Sequence, residues 1–104
     1  MANFVLAYRG GGMGSTPQEQ QKLMEAWMNW FGSMGESVVD AGAPFGQSAA
    51  IASSGAVSDG GTASLSGYSI IAADGITDAC NKAKGCPVLS TGGTVDVYEA
   101  MPMG

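Results

Sequence analysis

The sequence predicts an α+β domain of the ferredoxin-like kind, with two helices on one face of a four-stranded antiparallel sheet. Three observations carry that reading. The predicted elements run strand, helix, strand, strand, helix, strand over 104 residues, the order of a split βαβ pair. The longest helix, over residues 15–35, holds both tryptophans in a single apolar stripe, so it lays one heavy face against the sheet. The strands stay largely apolar on the side the helices leave uncovered, and an uncovered apolar sheet face of that size calls for a partner.

The elements follow in order. Residues 3–9 form the first strand: Phe4, Val5, Leu6, Ala7 and Tyr8 are apolar on both faces, as in a strand buried on both sides. A glycine-rich connection, 10–14, leads into the helix. Thr16 stands at its N-cap, Pro17 suits the first helical position, and Glu19 completes a Thr-x-x-Glu capping box. Leu23, Met24, Trp27, Trp30, Phe31 and Met34 fall within an arc of about 120°, with Gln18, Lys22, Glu25, Asn29 and Ser33 opposite. Gly35 ends the helix.

Residues 38–42 read as a second strand, broken at Pro44, with 47–52 extending it beyond a bend. Residues 53–67 are small and polar, one long irregular segment of a length that asks for a functional explanation. Residues 68–73 make a strand with a β-branched centre. Asp74 is placed as the cap of a second helix, in which Ile76, Ala79, Cys80 and Ala83 share a face. Lys82 and Lys84 lie in its last turn, where the helix dipole favours cations, and Gly85 closes it. After Cys86-Pro87 and a Gly92-Gly93 turn, 94–99 give the last strand. By alternation Asp96 and Tyr98 share one face of that strand, as Leu6 and Tyr8 share one face of the first.

The composition narrows the function. A chain of 104 residues makes one domain, 1–104. Apolar residues are 45% and charged residues 12%, about half the usual charged share. So few charges would leave a small monomer poorly covered, which points to a homodimer. The net charge is −5, and the four basic residues are scattered, which speaks against nucleic acid and anionic membrane surfaces. No apolar run approaches a membrane span, and the first residues lack the basic start of a signal peptide, so a cytoplasmic location is expected. With no histidine and two cysteines, neither a zinc or iron site nor a disulfide framework is expected, and no cofactor is implied.

Candidate chemistry rests on few residues. Arg9, the only arginine, ends a central strand and can hold a carboxylate or enolate bidentately, or pair with Asp40 or another acid at the sheet rim. Asp40 lies inside an apolar strand and, without histidine, is the natural general base. Tyr8, Tyr68 and Tyr98 each fall on a strand, where a hydroxyl can donate to a ligand oxygen or the ring can simply pack. Cys80, on an apolar helix face, and Cys86, after a helix C-terminus, read as structural.

Several stretches carry a family resemblance: Phe-Val-Leu-Ala-Tyr-Arg-Gly at 4–10, Thr-Pro-x-Glu-x-Gln at 16–21, Trp27 with Trp30-Phe31, Gly-Tyr-Ser-Ile-Ile at 67–71 and Lys-Gly-Cys-Pro at 84–87. Together they resemble the YCII-related (DGPF-domain) family over nearly the whole chain. The resemblance implies a dimeric α/β barrel, in which two ferredoxin-like sheets close around a cavity. The enzymatic role proposed for some members rests on a His–Asp pair, which this chain cannot supply. The family's Asp-Gly-Pro-Phe motif corresponds here to 59–62, of which Asp59 and Gly60 remain as candidate ligand-binding positions.

Two main functional expectations follow. One is a cofactor-free enzyme acting on a small anionic organic molecule in the dimer cavity, with Arg9 binding the anion and Asp40 as base. The other is a non-catalytic small-molecule-binding or accessory module. A purely structural interaction domain, with its cavity filled by side chains, is the third.

Overall fold

Alternation along the strands sorts the side chains onto two faces of one sheet, and the two helices cover only one of them. The computed structural model describes residues 1–12, 14–59 and 65–102. Strands β1 (Ala2–Arg9), β2 (Val38–Pro44), β5 (Gly67–Ala73) and β6 (Thr94–Ala100) form an antiparallel sheet in the order β2-β5-β1-β6. That is the strand order of a split βαβ pair. Helices α1 (Pro17–Met34) and α2 (Ile76–Ala83) lie on one face, and the chain extends 44 × 42 × 18 Å. The short dimension is the depth of one sheet and one layer of helices.

The core sits between these layers. Phe4, Leu6 and Tyr8 of β1, Ser69, Ile71 and Ala73 of β5, Trp30 of α1, and Ala79 and Ala83 of α2 are buried there. Phe4 stands opposite Ile71, and Leu6 opposite Ser69 and Val97. Each large aliphatic or aromatic side chain so buried contributes about 1.5–3 kcal/mol.

Helix α1 starts as expected. The Thr16 hydroxyl accepts the Glu19 backbone N–H at 3.1 Å. The Glu19 carboxylate reaches back one residue further than a standard capping box, accepting the Ser15 backbone N–H at 2.8 Å and its hydroxyl at 3.0 Å. Gly35, with φ +54°, ends the helix and returns its N–H to the Phe31 carbonyl. Trp30 anchors the helix: its indole N–H donates to the Lys82 carbonyl at 3.0 Å, tying α1 to the end of α2. Trp27 meets Tyr8 edge to face at 5.3 Å. The stripe is narrower than expected, since Met24 is 66% exposed and Met28 lies beside it in solvent. Seated on Trp27, Trp30 and Phe31, the helix turns Met24 away from the sheet.

Three other expectations change. Residues 49–51 do not extend β2. They form β3 (Ala49–Ile51), which pairs with β4 (Val57–Asp59) in a separate two-stranded hairpin, closed by a turn over 52–56. Part of the segment expected to be irregular is thus a strand, its signal hidden by shortness and small residues. Asp74 does not cap α2 with its side chain. The N-cap is Gly75, and the Asp78 carboxylate accepts the Asp74 backbone N–H at 3.0 Å, doing the same task from inside the helix. Short 3-10 turns follow α1, at Gly35–Ser37, and Cys86, at Pro87–Thr91.

β2 is irregular. Its register with β5 shifts between Val38 and Asp40 and again between Asp40 and Ala43. Gly42 makes the second shift possible. Its φ is +80°, and a Cβ there would fall 1.7 Å from the Tyr68 carbonyl oxygen, so only glycine fits.

Candidate functional site

The face turned away from the helices carries most of the polar groups singled out in the sequence. Because alternation puts Phe4, Leu6 and Tyr8 on the covered side, Val5, Ala7 and Arg9 take the other. Tyr68 and Ile70 of β5, and Asp96 and Tyr98 of β6, join them by register. The middle of this open face is apolar and half-buried, through Val5 and Ile70, and its ends are polar.

At one end Arg9 Nε donates to Asp96 Oδ2 at 2.8 Å. Both side chains are about two-fifths exposed, at 41% and 39%. The hydrogen bond to Asp96, with help from its charge and from Tyr98, raises the Arg9 pKa further, so the guanidinium stays charged. The acid that meets Arg9 is therefore Asp96, not Asp40. Ala7 stands opposite Asp96 and Arg9 opposite Thr94, which places the two charges diagonally on one face.

Toward β2, Asp40 is held by two donors. Its Oδ1 accepts the Gly42 backbone N–H at 2.8 Å, and its Oδ2 accepts the Tyr68 hydroxyl at 3.2 Å. The charge of Asp40 raises the Tyr68 pKa. Phe45 stacks on the Tyr68 ring at 5.7 Å between centroids and 20° between planes. In this cluster Asp40 and Phe45 are exposed and Tyr68 is half-buried.

The expected pairing of Arg9 with Asp40 does not form within a protomer. Asp40 stands level with Ile70 and hence with Val5, two strands and four residues from Arg9. Strand geometry makes that about 17 Å. Both lie on the same face of the sheet, but an anion binder and a base so far apart cannot share one small substrate.

Tyr8 does not reach this face. It is buried under Trp27, where its hydroxyl donates to Ser69 Oγ at 2.7 Å and Ser69 in turn donates to the Ala41 carbonyl at 2.7 Å. Burial raises its pKa. Tyr8 is thus a core residue that hydrogen-bonds β1 through β5 to β2. Tyr98 is 56% exposed on the open face. Asp59 is exposed at the end of β4, and Gly60 lies outside the described residues.

Of the two cysteines, Cys86 is unreactive by placement. Cys86 is buried, and burial pushes its thiol up to about 11. Cys80 lines an apolar groove of about 200 Å³ on the covered side, between α2, the 3-10 turn and β6, with Ala83, Lys84, Leu89, Val95 and Val97. Among the described residues no cluster of three or more Cys, Asp or Glu side chains could hold a metal ion. Nor is any of their helices long and apolar enough to cross a membrane.

The sequence alone did not reveal Asp96 as the partner of Arg9, nor Phe45 as the platform for Tyr68. Alternation gave Asp96 its face, but the register between strands nearly ninety positions apart decides which acid meets the arginine. The chain matches no protein-family model and no curated protein.

Proposed function

We propose that this chain is one protomer of a homodimer that binds a small organic molecule between facing sheets without transforming it. The observation that supports this is the open face itself: an apolar middle over which no described residue forms a layer, flanked by Arg9–Asp96 and by the Tyr68–Asp40 cluster with Phe45. The accessible surface, 6942 Å², points the same way. A monomer of this mass exposes about 5,400 Å², so this one exposes about 1,500 Å² more. A standard interface takes about 800 Å² from each partner. The resemblance to the YCII-related family implies the same sheet-to-sheet dimer.

Binding is favoured over catalysis because each candidate group is already engaged. Arg9 is held by Asp96, and Asp40 by Tyr68 and the Gly42 amide. A cofactor-free enzyme acting on a small anionic molecule is the second reading, favoured by Arg9 and Asp40 lying on one face. It needs groups from the partner to span the distance between them.

Light scattering across a size-exclusion peak tests the proposal. Wild type should run at twice the chain mass and Val5→Glu at the chain mass. With benzoate as probe, the thermal midpoint of wild type should rise, and that of Tyr68→Ala should not. A wild-type monomer at high concentration defeats the dimer, and a benzoate response unaltered in Tyr68→Ala defeats the site.

A further inference from the structure

The hairpin of β3 and β4 has no evident role within one protomer. All six of its strand residues are exposed, with Ile51 at 73% and Val57 at 68%, and these two face each other as a cross-strand pair. An isolated two-stranded hairpin is marginal in water, and one that displays an aliphatic pair is more so. We infer that this hairpin is an arm that wraps a second copy of the chain and seats Ile51 and Val57 in the apolar groove beside the partner's β6 edge. The inference rests on the sheet-to-sheet dimer proposed above.

Register supports that destination. Pro44, Gly67, Tyr8 and Val95 lie in one row across the sheet. The chain leaves β2 for the hairpin at Pro44, and Val95 is a wall of the groove. Two sheets facing each other about a two-fold axis parallel to their strands keep every residue at its height and set β2 of each protomer over β6 of the other. The arm therefore departs level with the groove it is to fill. Seven residues from Pro44 to Ile51 span up to about 23 Å, while facing sheets lie about 10 Å apart, so the arm has length enough to turn the partner's edge.

Reach and charge favour this axis over its alternative. An axis across the strands would lay β2 over β2 with the heights reversed, leaving each hairpin at the edge away from the partner's β6 and its groove. The axis along the strands brings Asp59 instead toward a groove with Lys84 on its wall. The excess of exposed surface, about 1,500 Å², leaves room for such an arm in addition to a standard sheet contact.

Cys80 in the groove supplies the test. Val57→Cys, treated with diamide, should give a covalent dimer on a non-reducing gel, and adding Cys80→Ser should abolish it. Ile51→Asp with Val57→Asp should raise the dimer dissociation constant at least tenfold, roughly the loss of one buried aliphatic side chain. If wild type is a dimer by light scattering, yet the double aspartate variant dimerises equally well and Val57→Cys fails to link to Cys80, the arm is wrong and the sheet dimer stands. If wild type is a monomer, both fall.

Discussion

Phe4, Leu6 and Ile71 point one way from the sheet, and Val5, Ala7 and Ile70 point the other. The two sets are alike in chemistry and differ in what lies over them. The first set is sealed to 1% exposure or less beneath two helices; over the second no described residue forms a layer, Val5 and Ile70 being half-buried and Ala7 buried at 5%. The covered face also hides its polar atoms in pairs, as in the Tyr8–Ser69–Ala41 relay. The open face keeps Arg9–Asp96 and Tyr68–Asp40 within reach of solvent. One side of the sheet holds the chain together, and the other is left uncovered by the helices.

The largest effect should come from setting neighbours on the two faces against each other. Leu6→Ala empties a sealed site and should cost about 3–4 kcal/mol of unfolding free energy in urea. Val5→Ala, one residue away, should cost less than about 1 kcal/mol in dilute solution and act chiefly on association. Equal losses from the two would erase the distinction between the faces.

Alkaline titration sharpens it next. Burial pushes the Cys86 thiol from 9.0 up to about 11 and raises Tyr8 above 10.0. Both groups are neutral when protonated. Above these starting values the unfolded chain releases their protons while the folded chain keeps them. Stability is therefore full below pH 9 and falls as pH rises, from about 9 to 11 through Cys86 and from about 10 upward through Tyr8, by at most about 1.4 kcal/mol per pH unit for each group. Stability curves of Cys86→Ala and Tyr8→Phe should flatten. Tyr68→Phe, on the exposed face, should leave the slope nearly unchanged.

The smallest effect belongs to Arg9→Ala. The pair with Asp96 is partly exposed, so its loss should cost under about 1 kcal/mol and fade further in high salt. Thermal melts at two salt concentrations would show it.

How much of this could be read from the residues follows the range of each interaction. Thr16, Pro17 and Glu19 act within one turn, and the start of α1 was legible from them. Strand order was legible from element order, and the faces of β1 and β6 from alternation. What escaped depended on distant partners. Tyr8 was open to either role until Trp27 and Ser69 were seen to enclose it. Arg9 had several acids to choose from until register chose Asp96. The hairpin escaped for a different reason: strands of three small residues carry too little pattern to stand out from a loop.

Gly42 has one more consequence, for what happens beyond the sheet's edge. A straight edge strand offers an unbroken row of amides and carbonyls on which further chains can stack. Here the row is broken twice by register shifts, the Gly42 amide is spent on the Asp40 carboxylate, and Pro44 has no amide to give. For a chain this apolar and this poor in charge, the bulge guards the β2 edge against stacking of further strands. At that edge it leaves the proposed face-to-face pairing uncontested by edge-to-edge growth.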